Sequence, residues 1–314
     1  MGVVIPTLRG GDRFRECLDA LGRQQPAADA LVVVDSGSDD GTTEAARASG
    51  AEVIEIPPAS FRHGPTRNLG YEALPADVDV VVFMVQDAVP QGTGFLAALE
   101  AALADERLGA VTARQLPPSD ASPLTCSTVE RSPFASAEAR CVGPFAADQL
   151  EALSPAGWRG LLALDSVALA IRRPLFERLR YRDTDFAEDA LLAYDLLWGG
   201  WALGHAPAAV VEHGHEYDGG TVGDRYEQDA RFFRERFGLR VRPGLLSVLK
   251  GWVAELAADR RWLAAHPERR TAAALQASSS LRWAQVLAQY RGSKGALGAL
   301  PERRPVPGPA ELAA

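Results

Sequence analysis

The sequence predicts an α/β fold with a mostly parallel sheet covered by helices on both faces, followed by a helical extension. Over the first 115 residues, short runs rich in Val and Ile alternate with amphipathic stretches, which is the pattern of repeated strand–helix units. The run DVDVVVFMV is apolar almost throughout, as expected of a strand that is buried on both faces. Beyond about residue 240 the spacing of apolar residues is helical only.

The predicted elements follow in order along the chain. Strands are expected at residues 3–6, 31–35, 52–56, 78–85 and 109–113, with amphipathic helices at 12–22 and 41–49 between them. Residues 116–159 are rich in Pro and Ser and weakly periodic, so we expect an irregular insertion of the kind that lines substrate sites. A strand at 166–172, helices at 174–179 and 188–198, and a loop and strand at 202–213 complete this part.

The C-terminal part predicts two helices and a tail. Leu245, Leu249, Trp252 and Leu256 recur at three- and four-residue steps and mark one face of the first helix, and the second covers residues 281–290. The last segment, PERRPVPGPAELAA, is rich in Pro, and we expect it to stay unpacked and disordered. The predicted division is therefore an α/β domain at 1–240, a helical extension at 241–300 and a tail at 301–314.

The charge balance excludes one class of partner. The chain has 33 Lys and Arg against 41 Asp and Glu, a formal charge of −8, which argues against a nucleic-acid binder that needs a basic surface. Residues 245–304 nevertheless hold ten basic against four acidic residues, which indicates either a solvated helix face or contact with a membrane surface.

Three further observations concern the compartment. The three cysteines form no CxxC, the start shows no basic and apolar leader, and no run of about 18 apolar residues occurs. We therefore expect a cytoplasmic protein, peripheral at the inner face of the membrane if the basic helices touch it.

Polar residues follow the second predicted strand in the run VVVDSGSDDGT. Asp35 lies where this strand ends, and ligands of open α/β sheets bind at the carboxyl ends of strands. The alternative is a loop that caps the next helix through Ser38, Asp39 or Asp40.

A second cluster is FRHGPTRNLG, in which Arg67 lies near a predicted helix start. An Arg in that position is suited to hold phosphate oxygens, together with the amides at the helix end. The alternative is a surface Arg in a network of ion pairs.

Gln86 and Asp87 follow the longest apolar strand. An acid at the end of a buried strand needs water, a partner or a cation, and a divalent ion that holds a diphosphate needs oxygen ligands of this kind. The alternative is an acid that caps the next helix.

Two later pairs complete the candidate residues. Glu188 and Asp189 open a predicted helix, where acids are favoured by the dipole and are also ordinary. His213 and His215 would share one face of a strand, either as metal ligands or as a packed surface pair.

Taken in order, these segments resemble the family 2 glycosyltransferases with the GT-A fold, a Rossmann-like αβα sandwich, and among them the rhamnosyltransferase-like branch. The segments that carry the resemblance are PTLRGG, DSGSDDGT, FRHGPTRN, VQDA, ARQLP, AEDALLAYDLLWGGW and HGH. They cover roughly Val3 to Phe237. Two positions depart from the branch pattern: Val85 replaces the first acid of the usual DxD, and Asp165–Ser166 replaces a Ser-Asn dipeptide.

The resemblance implies roles for the candidate residues. The nucleotide sugar would be bound by Pro6, Thr7, Asp35, Arg67, Gln86, Asp87 and Glu188. Among these, Pro6, Thr7 and Asp35 would lie against the nucleobase and ribose, with Asp35 accepting from the base, and Arg67 would approach the nucleotide from the other side.

The resemblance also implies a metal site and a base. Asp87 would bind Mg²⁺ or Mn²⁺ together with His213, with His215 as the second choice, and Asp189 would be the general base. The implied reaction is an inverting transfer of a sugar from a nucleotide diphosphate to an acceptor hydroxyl, as in polysaccharide biosynthesis. dTDP-L-rhamnose is the preferred donor and a UDP-sugar the alternative.

The acceptor and other classes of protein stay open at this point. A glycan, a lipid-linked saccharide or a small-molecule aglycone fits as acceptor, and a homo-oligomer is compatible with the sequence. A nucleotidyltransferase would need a GxGTR-like loop after the first strand, and a nicotinamide-dependent enzyme would need GxGxxG, and both motifs are absent. A non-catalytic relative that only binds nucleotide sugars or glycans is the remaining alternative.

Overall fold

The computed structural model describes residues 1–216 and 221–312, and its centre is one nine-stranded mixed sheet. The strands are β1 (Gly2–Thr7), β2 (Ala30–Asp35), β3 (Glu52–Glu55), β4 (Val80–Met84), β5 (Val89–Pro90), β6 (Leu108–Leu116), β7 (Arg140–Val142), β8 (Ala168–Arg172) and β9 (Ala202–Glu212). Their order is β3-β2-β1-β4-β8-β6-β9-β5, and β7 pairs with β9.

The sheet is mostly parallel, as predicted, with antiparallel strands in its second half. Strands β3, β2, β1 and β4 form a continuous parallel block. Strand β8 lies between β4 and β6 and is antiparallel to both, whereas β6 and β9 are parallel to each other. Because β8 runs in the opposite direction, its first residue lies at the same edge as the last residues of β4, β6 and β9.

Helices cover both faces of this sheet and continue beyond it. They are α1 (Gly11–Gly22), α2 (Thr42–Ala48), α3 (His63–Glu72), α4 (Phe95–Leu103), α5 (Pro123–Glu130), α6 (Ala147–Glu151), α7 (Pro155–Leu161), α8 (Arg173–Leu179), α9 (Glu188–Trp198), α10 (Thr221–Phe237), α11 (Leu245–Ala265), α12 (Ala272–Gly292) and α13 (Pro309–Leu312).

Alternate residues of the central strands feed two apolar cores, one on each face of the sheet. In β1, Val4 packs with residues of α3, α8 and α9, whereas Val3 and Ile5 pack with residues of α1 and α4. All six residues of β1 are buried, which explains why this strand lacks polar alternation.

Most predicted elements are present, with shifted ends. Strand β6 extends to Leu116, three residues beyond the predicted strand. Residues 116–159, expected to be irregular, contain helices α5 and α6, strand β7 and the start of α7. Sequence periodicity missed α10 altogether. Its sequence is rich in charged residues, and its buried apolar side chains stand between them: Val222, Ala230, Phe232, Phe233 and Phe237.

The predicted C-terminal helices are present, with α12 packed on α10 and α11 packed on α12. Helix α12 approaches α10 so closely that a Cβ on Gly292 would lie 2.2 Å from the carbonyl oxygen of Glu227. Arg291 of α12 also pairs with Glu227 at 2.8 Å. The extension is therefore held to the end of the α/β part by close backbone packing.

The expectation of an unpacked tail is wrong for residues 301–312, and residues 313–314 lie outside the described part. The hydroxyl of Tyr194 donates to the carbonyl of Pro301 at 2.9 Å, and Nε1 of Trp201 donates to the carbonyl of Pro307 at 2.8 Å. Val306 packs against the core beside α9. A Pro-rich segment forms few internal hydrogen bonds, so here donors from other parts of the chain satisfy its carbonyls.

The state of the cysteines and the apolarity of the helices were also addressed by the sequence. Cys17, Cys126 and Cys141 are all free thiols. Within residues 1–216 and 221–312, no helix combines the length and the apolarity needed to cross a bilayer.

Candidate active site

The predicted site residues gather at one edge of the sheet, where β1, β2, β4, β6 and β9 end and β8 begins. Asp35, the last residue of β2, is 1% exposed. Its carboxylate accepts hydrogen bonds from the hydroxyls of Thr7 (3.0 Å) and Ser38 (2.5 Å) and from the amides of Gly37 (2.9 Å) and Ser38 (2.8 Å). These four contacts brace the turn after β2, so a nucleobase could use Asp35 only if one of the hydroxyls moved away.

Gln86 connects the ends of β1 and β4. Its amide accepts from the backbone nitrogen of Leu8 at 2.9 Å and donates to the carbonyl of Leu8 at 3.1 Å. A cleft of about 240 Å³ opens beside this pair, lined by Pro6, Thr7, Leu8, Ser36, Pro58, Phe61 and Gln86. Its lining joins an aromatic ring, two proline rings and a few polar groups, a composition suited to a flat, partly polar ring.

Arg67 and Glu188 face each other rather than the open cleft. One guanidinium nitrogen of Arg67 donates to Glu188, and the two side chains are 4% and 8% exposed. The ring of Tyr181 lies 5.8 Å from the guanidinium carbon. The pair therefore connects α3 to the first residue of α9, and the guanidinium of Arg67 is largely covered.

Asp87, His213 and His215 form a cluster on the other side of Gln86. One ligand atom from each lies within 4.8 Å of the others. Oδ2 of Asp87 is 3.8 Å from Nε2 of His213 and 3.6 Å from Nδ1 of His215. A neighbouring cleft of about 260 Å³ is lined by Arg13, Glu16, Asp87, Pro118, Asp120, Ala121, Gly214 and Glu216.

The chemistry of this cluster fits a divalent cation. Nε2 of His213 is buried and has no hydrogen-bond partner among the residues that the structure describes. An imidazole nitrogen left unpaired beside a carboxylate is costly unless a ligand occupies the space between them. Burial also lowers the pKa of His213, which favours the neutral ring that metal binding requires.

Behind the cluster, His213 contacts a second layer of polar side chains. Its Nδ1 is 3.3 Å from Oε1 of Gln115, near the end of β6. The amide nitrogen of Gln115 donates in turn to Oδ2 of Asp165 at 3.0 Å. Neither Gln115 nor Asp165 was a predicted site residue. The ARQLP segment and the departure at Asp165 were the signals that could have pointed to them.

Asp189 is the second residue of α9 and lies beside this layer. Its carboxylate accepts from the backbone amides of Ala190 at 2.7 Å and Ser166 at 3.3 Å. Burial, and then the negative charges of Glu188 and Asp165, raise the pKa of Asp189 to about 7. A carboxyl group that titrates near neutral pH is matched to proton transfer.

Comparison with known proteins identifies the family to which the chain belongs. Residues 2–129 match the family model described as glycosyl transferase family 2. The chain is 32% identical over 227 residues to the O-antigen chain rhamnosyltransferase RfbN of Salmonella typhimurium, covering 71% of this chain and 69% of that protein. The chain belongs to glycosyl transferase family 2. This glycosyltransferase is also 29% identical over 227 residues, again 71% and 69% of the two chains, to the O-antigen chain rhamnosyltransferase WbaN of Salmonella anatum.

Solved structures agree on the fold of this glycosyltransferase. The mannosyltransferase PcManGT from Pyrobaculum calidifontis, solved in complex with GDP-Man and Mn²⁺, has a TM-score of 0.55 and 20% identity, covering 92% of this chain and 85% of that one. TarS 1–349 of S. aureus has a TM-score of 0.50 and 16% identity, with coverage of 93% and 91%. The GT-A fold with C-terminal helices, predicted from the sequence, is thereby confirmed.

Proposed function

We propose that this glycosyltransferase is an inverting, metal-dependent enzyme that transfers L-rhamnose from dTDP-L-rhamnose to a hydroxyl of a saccharide acceptor. The observation that carries the proposal is the placement of two groups at one sheet edge. They are a candidate cation site of one carboxylate and two imidazoles, and a carboxyl group, Asp189, that titrates near pH 7. The similarity to two rhamnosyltransferases supports the choice of sugar.

The donor would occupy the two clefts on either side of Gln86–Asp87. The nucleoside fits the cleft lined by Pro6, Thr7 and Phe61, and the diphosphate would extend towards Asp87. Asp87, His213 and His215 would hold the cation, which would neutralise negative charge on the leaving diphosphate. A site with two imidazoles beside one carboxylate favours Mn²⁺ over Mg²⁺, since Mg²⁺ prefers oxygen ligands.

Asp189 would act on the acceptor. Its carboxylate would take the proton of the attacking hydroxyl, and the hydroxyl oxygen would attack the anomeric carbon from the face opposite the diphosphate. The configuration of the sugar would then invert. Positioned general bases contribute roughly 10²–10⁴-fold to rates, so loss of this group should be readily measured.

A panel of sugar nucleotides tests the donor and the metal requirement for its binding. The full chain is incubated with dTDP-L-rhamnose, UDP-glucose or GDP-mannose, with and without Mn²⁺, and thermal unfolding is followed. A ligand at a hundred times its dissociation constant stabilises the native state by about 2.7 kcal/mol. dTDP-L-rhamnose with Mn²⁺ should give the largest shift, and a larger shift with either other nucleotide would reject the proposed donor.

Transfer activity then tests Asp189. Asp189→Asn should lower transfer at least about 100-fold and leave the nucleotide-induced thermal shift intact. Asp185→Asn is the matched control, because Asp185 is an exposed acid on the same segment and pairs only weakly with Arg62 at 3.2 Å. Transfer by Asp189→Asn at the parental rate would reject the base assignment.

A membrane surface is the partner that the C-terminal helices favour. Leu245, Leu246, Leu249 and Val253 of α11 are between 50% and 70% exposed, and Lys250 lies among them. Exposed apolar side chains on one helix face, next to basic ones, are the pattern of an interfacial helix. The full chain should sediment with vesicles that contain anionic lipid, and Leu245→Ser with Leu249→Ser should reduce sedimentation. A homodimer that buries these leucines in solution would contradict this assignment.

A further inference from the structure

Three strands bring a row of polar side chains to the back of the candidate metal site. Asp165 lies just before β8, Gln115 is near the end of β6, and His213 follows β9. Strand β6 pairs with both β8 and β9, so its end lies between the other two. The backbone amide of His213 donates to the carbonyl of Leu116 at 2.9 Å, which keeps the imidazole in register with Gln115.

The hydrogen bonds of this row have a fixed direction. An ionised carboxylate only accepts, so the amide nitrogen of Gln115 must face Oδ2 of Asp165, at 3.0 Å. The amide oxygen of Gln115 then faces Nδ1 of His213, at 3.3 Å, and an amide oxygen also only accepts. Nδ1 of His213 must therefore carry the proton, and Nε2 presents a lone pair.

The lone pair points to the place where a cation would bind. Nε2 of His213 is buried and lacks a hydrogen-bond partner among the described residues, and it lies 3.8 Å from Oδ2 of Asp87. The other tautomer would place a proton between these two atoms and would block coordination.

We propose that Asp165 and Gln115 are positioning residues that fix the tautomer and the ring orientation of His213 for cation binding. Asp165 starts the row because its negative charge sets the direction of the Gln115 amide. Position 165 is one of the two departures of this sequence from the branch pattern, and here its carboxylate accepts the hydrogen bond that orients Gln115. The inference rests on the proposed function in one respect, namely that Asp87, His213 and His215 bind a cation.

Asp165→Asn is the informative variant because Asn has nearly the shape of Asp and can reverse the direction of the hydrogen bond to Gln115. An amide at position 165 can donate to Oε1 of Gln115, which turns the Gln115 nitrogen towards His213. Nδ1 would then accept, and the proton would move to Nε2, facing Asp87. Partners behind a metal-binding His change metal affinity by about 10–100-fold, so Mn²⁺ affinity should fall by that factor.

Two measurements on the full chain test the proposal. ¹⁵N NMR of the histidine side chains at pH 8, without metal, reports the tautomer, and His213→Asn assigns the signal among the five histidines. Titration with Mn²⁺ alone, followed by the EPR signal of free Mn²⁺, reports affinity. We expect the parent to carry the proton on Nδ1, and Asp165→Asn to carry it on Nε2 and to bind Mn²⁺ about 10–100-fold more weakly.

A control variant distinguishes the loss of the hydrogen bond at position 165 from the mere loss of one negative charge. Asp185→Asn removes one exposed negative charge before the start of α9 without touching the row, and it should leave Mn²⁺ affinity within about threefold. If Asp165→Asn does not fold, Gln115→Met removes the row at its centre and should also weaken Mn²⁺ binding.

Three outcomes overturn the inference: a parent His213 that is protonated on Nε2, an Asp165→Asn protein that binds Mn²⁺ as the parent does, or an equal loss in Asp185→Asn. If the parent binds no Mn²⁺ but His213 carries its proton on Nδ1, the metal site of the proposed function fails while the assigned direction of the row stands.

Discussion

The guanidinium of Arg67 and the carboxylate of Glu188 form an ion pair whose side chains are only 4% and 8% exposed. The two residues are 121 positions apart in the chain, and the pair joins α3 to the start of α9. Glu188 precedes Asp189, so the same carboxylate that neutralises Arg67 also adds negative charge next to the proposed base. Glu188 therefore contributes both to the stability of the fold and to the raised pKa of Asp189.

Removal of one partner of this pair should destabilise the protein strongly. Arg67→Met leaves the Glu188 carboxylate buried without its cation, which typically costs about 3–5 kcal/mol. Urea unfolding of the full chain should show a loss of this size. The control is Arg47→Met, because the Arg47–Glu55 pair is 51% and 61% exposed and should change stability by about 0.5 kcal/mol or less. Equal losses in both variants would contradict the prediction.

Asp189 should make stability depend on pH between about 4 and 7. Burial, and then the charges of Glu188 and Asp165, raise its pKa in the folded protein to about 7, well above the ordinary value of an aspartate. The folded state therefore holds a proton that the unfolded state releases. The stabilising contribution is complete below the unfolded pKa and is lost as the pH rises through the folded pKa. Asp189→Asn lacks this group, so its stability relative to the parent should increase from pH 4 to pH 8.

The same pKa predicts the pH dependence of transfer. A base must be ionised to accept a proton, so kcat/KM should rise with pH through about 7 in the free enzyme. Asp185→Asn should keep both the rate profile and the stability profile of the parent. A kcat/KM that is flat between pH 5.5 and 8.5, with chemistry rate-limiting, would be incompatible with Asp189 as the base.

The C-terminal tail should contribute to stability although it contains little regular structure. A chain that ends at Leu300 loses the hydrogen bonds from Tyr194 and Trp201 and the stacking of Arg303, whose guanidinium carbon is 3.5 Å from the ring centroid of Trp198. Two hydrogen bonds and the burial of Val306 together predict a loss of about 2–4 kcal/mol.

Tryptophan emission gives a second readout of the tail. Trp198 and Trp201 should gain contact with water in the shortened chain, and their emission should shift to longer wavelength. A chain that lacks only residues 313–314 is the control and should match the parent. Unchanged emission and stability in the chain ending at Leu300 would show that the tail does not pack in solution.

A second buried ion pair should hold the insertion against the C-terminal helices. Arg282 of α12 pairs with Asp259 of α11 at 2.8 Å, with side chains 2% and 1% exposed. Asp259 also accepts from Ser127 of α5 at 2.9 Å. Asp259→Asn leaves Arg282 without its counter-charge and should cost about 3–5 kcal/mol in urea unfolding.

A double replacement distinguishes charge from packing at this pair. Asp259→Leu with Arg282→Met removes both charges and should recover part of the loss seen in Asp259→Asn. The control is Arg15→Met, because Arg15 pairs with Asp12 on the surface, with side chains 46% and 96% exposed. A double variant that is less stable than the single one would show that the charges themselves are needed.

Spacing along the chain was enough to predict most strands and helices of the α/β part and most of the candidate site residues. The bounds of α9 were predicted at residues 188–198 because two acids favour its start and two glycines end it. The polar residues that follow β2 and β4 were expected at one edge, since parallel strands end at the same edge of a sheet. These inferences need only spacing along the chain, which is why they could be made without a structure.

Which side chains meet across the fold became known from the structure alone. Arg67 with Glu188, Gln115 with Asp165, and Trp201 with Pro307 are separated by 121, 50 and 106 positions, and no local pattern encodes such distances. The same reason explains the tail, which was expected to be disordered. The hydroxyl of Tyr194 in α9 and the indole of Trp201, just before β9, donate to its carbonyls, and local sequence cannot reveal these donors. Burial then decided the chemistry, because the pKa of Asp189 depends on the charges and the packing that folding brings around it.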